Sequence, residues 1–127
     1  MRYHRLLILL GALLALLLPA CAPDPLESTI ERLDRLQALL ERHKDDPDAL
    51  LGAMEDFIAQ HQDQWQRDRA AIDKLSDDAR TRLEARYERR LQQVMGRLLD
   101  NSLEVQARLA HDPVRLARFL ALMDAIR

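Results

Sequence analysis

Apolar residues in this chain recur at spacings of three and four along four separate stretches, the period of a helix that buries one face. The first stretch runs from about residue 26 to 43 and carries Leu26, Ile30, Leu33, Leu36 and Leu40. It ends in Lys44-Asp45-Asp46-Pro47. Asp46-Pro47 is a helix-start signal. The aspartate can accept from free N–H groups of a first turn, and proline fits the first helical position because its missing donor would have had no partner there. The second stretch presents Leu50, Met54, Phe57, Ile58, Trp65, Ile72 and Leu75, although Trp65 is the one large apolar residue between Gln60 and Arg69. The pattern predicts a continuous helix to about Leu75. Ser76-Asp77-Asp78 then supplies a capping hydroxyl and two acids for the positive end of the next helix dipole. That third helix carries Leu83, Tyr87, Leu91, Val94, Leu98, Val105 and Leu109, with Leu91 read as central and Asn101-Ser102 as a point of bending or interruption. Asp112-Pro113 repeats the earlier signal and opens a fourth helix with Leu116, Phe119, Leu120, Met123 and Ile126.

Four amphipathic segments with short connections bury every stripe most simply as an antiparallel bundle. The expected fold is therefore all-α, a small antiparallel bundle of about four helices over residues 26–127. One long coiled coil is disfavoured, because Pro47 and Pro113 would each remove a hydrogen bond from a continuous helix. The echo between Asp46-Pro47 and Asp112-Pro113 reads as shared capping chemistry rather than duplication.

Ahead of the bundle the pattern changes. Arg2 and Arg5 precede Leu6–Leu18, thirteen residues of Leu, Ile, Ala and one Gly without a charge. Pro19, Ala20 and Cys21, the only cysteine, follow. A membrane-spanning helix needs about 20 apolar residues, so thirteen flanked by Pro19 and Cys21 fit the hydrophobic region of a cleaved signal better. Ala20-Cys21-Ala22 also reads as an ordinary secretory cleavage pattern, but that cut would leave Pro23 beside the scissile bond. Leu18-Pro19-Ala20-Cys21 resembles the lipobox of bacterial lipoproteins, with Pro19 where that family more often has Ala, Ser or Thr. The resemblance implies a signal peptide over 1–20, a diacylglycerol on Cys21, and a lipidated N-terminus with a short tether over 21–25. Ala22 rather than Asp after the cysteine implies retention at the outer membrane, facing the periplasm. A lipidated Cys21 also accounts for the odd cysteine.

Composition narrows the function. The chain has 127 residues with a net charge of −2, and its first 20 hold two arginines and no acid, leaving −4 on the remainder. Nucleic-acid binding, which draws on a clustered basic surplus, gains no support. Three glycines, few aromatics and abundant Leu, Ala, Arg, Glu and Gln agree with helix.

Candidate chemistry is sparse. His43, His61 and His111 lack the spacing of a local zinc motif and read as surface or helix-end residues. Asp45, Asp46 and Asp48 surround Pro47 without calcium-loop spacing, so capping explains them better. No phosphate-binding glycine loop is present, and the reading is of a non-enzyme with no cofactor, no metal and no small-molecule substrate. On the third helix, with Leu83 at zero and about 100° per residue, Arg82, Arg86, Arg89 and Arg97 share one flank while Asp77, Glu84 and Glu88 share the other. The arginines either choose neighbours within the bundle, as flanking charges do in coiled coils, or form a face for an acidic protein or anionic lipid. Trp65 is either core or an exposed anchor. The combined expectation is an envelope lipoprotein, held to the membrane through Cys21, whose helical domain binds another envelope protein. Periplasmic chaperones or stress sensors and pilotins, which escort outer-membrane complexes, are similar in size, anchor or helix content. The L-T-x-x-Q motif of such chaperones and the cysteine pair of one pilotin group are absent.

Overall fold

The computed structural model describes residues 24–126, which form four helices: α1 Pro25–His43, α2 Pro47–Asp73, α3 Asp77–Leu109 and α4 Pro113–Asp124. The expected signal peptide, Cys21 and most of the expected tether lie outside the described residues. Each helix after the first starts where the sequence places a cap. Asp46 accepts from the Ala49 N–H at 3.2 Å, Ser76 from Ala79 at 3.2 Å and Asp112 from Arg115 at 3.1 Å. Such caps satisfy donors that a first turn leaves free, each contributing about 1 kcal/mol. Asp24, before α1, makes no cap bond, and its carboxylate instead accepts from the Tyr87 hydroxyl at 3.0 Å.

Helix α2 is continuous through its polar middle, and α3 passes Asn101-Ser102 without a break. The expected interruption fails because both side chains find partners off the helix backbone. Asn101 donates to Gln37 of α1 at 2.7 Å, and the buried Ser102 hydroxyl accepts from Gln106 at 3.1 Å.

Chain direction alternates along the bundle, and α1 is its centre. It packs against α2 on one side and α3 on the other, while α4 touches α2 and α3. Pairing across α1 and α3 keeps one parallel register: Arg90 with Glu27 at 3.3 Å, Arg97 with Asp34 at 3.4 Å and Arg108 with Asp45. The core runs down this axis through Leu36, Leu40, Leu50, Leu51, Met54, Val94, Val105 and Phe119, all almost fully excluded from water. Leu91, expected at the centre, is only partly buried against it. Residues toward the start of α3 lie where fewer helices surround them.

Helix α4 is short. Twelve residues rise about 18 Å, against about 50 Å for the 33 of α3. Arg115 holds Asp48 through two bonds of 2.9 and 3.0 Å, and Arg118 holds Glu55 at 2.5 Å, fixing α4 against the first half of α2. The fourth position of the bundle is therefore filled at one end only.

Candidate binding groove

Below the last turn of α4 the unfilled position is a groove of about 830 Å³. Leu33 and Thr29 of α1 form its floor, Trp65 and Ile72 stand on the α2 side, and Met95, Leu98 and Leu99 on the α3 side. Leu120, Met123 and Ile126 close the α4 end. All four helices contribute, and the lining is mainly apolar. A ligand cleft commonly encloses about 300–1,000 Å³ and carries such a lining.

Leu120 sits on the predicted apolar stripe of α4 yet is exposed, because its neighbour is the groove rather than another helix. On α3, Met95, Leu99 and Leu103 follow one another at four-residue intervals and are 46, 59 and 54% exposed. A run of this kind leaves apolar surface in water at a cost of about 25 cal/mol per Å².

Beneath the α2 wall lies a buried ionic network. Arg32 and Asp68, 4 and 6% exposed, form a salt bridge across the α1–α2 interface. Arg32 also donates to Ser28 at 2.7 Å and Thr29 at 3.4 Å, while Asp68 accepts from Gln64 at 2.9 Å. The guanidinium lies 5.4 Å from the centre of the Trp65 ring, which Phe57 meets edge-on at 6.0 Å. Among the described residues the Arg32 Nε has no hydrogen-bond partner. The network fixes Trp65 as a rigid wall: the residue is core by burial and also lines the groove. It is not the exposed anchor of the second sequence reading. His61, one turn from both Phe57 and Trp65, packs against Phe57 with ring centres 4.4 Å apart and the rings tilted by 49°. Burial first, then the nearby Arg32 and Arg35, holds its pKa below the usual histidine range.

The arginine flank of α3 divides. Arg86 faces Asp24, just ahead of α1, at 3.5 Å and Arg97 faces Asp34 of α1 at 3.4 Å, whereas Arg82 and Arg89 make no ion pair among the described residues. The four do not line the groove. Among the described residues no three histidine, cysteine or carboxylate side chains gather in a metal-binding arrangement, and none of the described helices is long and apolar enough to cross a membrane.

No protein-family model matches this chain, and no curated protein or solved structure matches it significantly.

The Arg32–Asp68 network and the groove were not anticipated from the sequence. A signal for the first exists: Met54, His61 and Asp68 stand at seven-residue intervals, so two polar residues continue a core position of α2. The groove follows from unequal helix lengths, which matter only once α4 is docked.

Proposed function

We propose that the protein is a bacterial envelope lipoprotein, held by lipid on Cys21 and probing the periplasm with a helical domain that binds another protein. The observation that carries the binding role is the exposed apolar strip Met95–Leu99–Leu103 beside a groove walled by all four helices. Contiguous apolar surface of this kind marks interaction sites rather than ordinary solvated faces. The mainly apolar lining suits binding better than catalysis, which needs convergent polar groups. The lipobox resemblance supports the anchor and an outer-membrane location. Two or more acyl chains would make attachment stable, where one gives only marginal binding.

Two variants separate the parts of this reading. Cys21→Ser abolishes palmitate incorporation and membrane partition if the anchor is right. Met95→Lys with Leu99→Lys leaves labelling and thermal stability unchanged but removes crosslinked complexes formed in the intact envelope. Equal labelling of wild type and Cys21→Ser contradicts the anchor, and complexes that survive the double lysine variant contradict the groove.

A further inference from the structure

The groove has a direction as well as a shape. Its upper end is the C-terminus of α4, where the carbonyl groups of the last turn face down the vacant position. Its α3 wall continues beyond Met95 toward the α2–α3 turn along one helical face. Leu99, Met95, Gln92, Glu88 and Glu84 succeed each other at intervals of three and four, so apolar wall passes into acidic wall. Glu84 and Glu88 are exposed, and among the described residues neither makes an ion pair; the single bond recorded is Gln92 donating to Glu88 at 3.3 Å. Asp77, further along the same face, lies in the first turn of α3 and serves that helix's own dipole. Glu84 and Glu88 lie two and three turns in, where the dipole no longer accounts for them. On the opposite flank of α3, by contrast, Arg86, Arg90 and Arg97 are matched by Asp24 and by Glu27 and Asp34 of α1.

We propose that this groove receives an amphipathic helix of a partner protein, laid in line with α4, apolar along one face and basic in its last turns. This rests on the interaction-module reading and adds the partner's chemistry and polarity. A helix is about 10 Å across and completes the bundle by occupying the position that α4 leaves. From Leu99 to Glu84 the α3 wall rises about 22 Å, which a guest of about 15 residues covers. Leu33, Trp65, Ile72 and Leu98 receive anchors at helical spacing. The methionines at 95 and 123 adapt to them. The guest's N-terminus, the positive end of its dipole, abuts the C-terminus of α4. Its C-terminal lysines or arginines then meet Glu88 and Glu84, where cations also suit the guest's own dipole.

The test uses the mature lipidated protein in phosphatidylcholine nanodiscs, with empty nanodiscs as background. The probe is a synthetic helix of about 18 residues with leucines on one face, lysines in its last two turns and a benzophenone on the leucine face. Saturable binding is expected, with crosslinks to α2 and α3 groove residues and weakening as salt rises. Leu99→Lys weakens it about tenfold or more, with circular dichroism confirming an intact fold. Glu84→Lys with Glu88→Lys weakens it and restores preference for a peptide whose lysines are replaced by glutamate. A peptide carrying its lysines in the first turns binds less well. Binding indifferent to Leu99→Lys, to the double glutamate change or to lysine position overturns the proposal. So do protein dimers that exclude the peptide, or a groove that takes a fluorescent fatty acid but not the peptide. If the anchored protein's envelope complexes still depend on Met95 and Leu99 while the peptide fails, the partner chemistry is wrong and the interaction module stands.

Discussion

Arg32 and Asp68 carry the sharpest consequence at the level of single residues. Removing one partner of a buried pair strands the other charge, and Asp68→Ala should cost about 3–5 kcal/mol in denaturant unfolding. Replacing both, Arg32→Met with Asp68→Leu, should cost far less, because well-packed apolar residues often match or exceed a buried pair in stability. If the double variant is as damaged as the single one, the pair is contributing more than charge compensation. His61 gives a pH dependence. Its folded pKa lies below that of the unfolded chain, so between those two values the unfolded state binds more protons. Its contribution is complete above the unfolded pKa and is lost as pH falls through the window below about 6.5. Thermal midpoints measured from pH 7.5 to 5 should therefore fall more in wild type than in His61→Gln. Equal slopes would show that burial against Phe57 does not control the proton.

At the level of the helices, periodicity and capping chemistry made most of the architecture legible. The α1 stripe is buried at every predicted position, and Asp46, Ser76 and Asp112 cap as their sequence contexts indicate. Legibility failed where a polar residue finds its partner on another helix: Asn101, part of the expected break, is held by Gln37 of α1, and Asp68, in a polar stretch with Trp65 as its one large apolar residue, is held by Arg32. Neither Gln37 nor Arg32 can be assigned as partner from spacing alone, since each contact joins residues far apart in the chain. Leu91 illustrates the same limit, since its stripe position is correct while its burial depends on how many helices surround that level. Leu36→Ala should thus cost about 2–5 kcal/mol and Leu91→Ala clearly less, read from chemical denaturation. The α3 arginines separate in the same way. Arg86→Gln with Arg97→Gln should lower the thermal midpoint slightly at low salt and hardly at high salt, as exposed pairs do. Arg82→Gln with Arg89→Gln should leave it unchanged. A larger loss from the second pair would contradict the ion-pair assignment.

For the molecule as a whole, the decisive fact is that three long stripes and one short helix do not close the bundle. Helix α4 is fixed by Arg115 and Arg118 against the first half of α2, which leaves Leu99, Met95 and Leu120 facing water beside a walled groove. In our reading a lipid on Cys21 keeps this groove at the membrane surface, and the vacant position is where a partner helix completes the fold. The most direct measurement is site-specific photocrosslinking in the intact envelope, with the photoreactive residue placed at Leu99 and, separately, at Arg82 on the opposite flank. A discrete adduct with a partner protein from position 99, absent from position 82 and suppressed by Met95→Lys, is the predicted result. Adducts of equal yield from both positions, or none from position 99, would contradict the account.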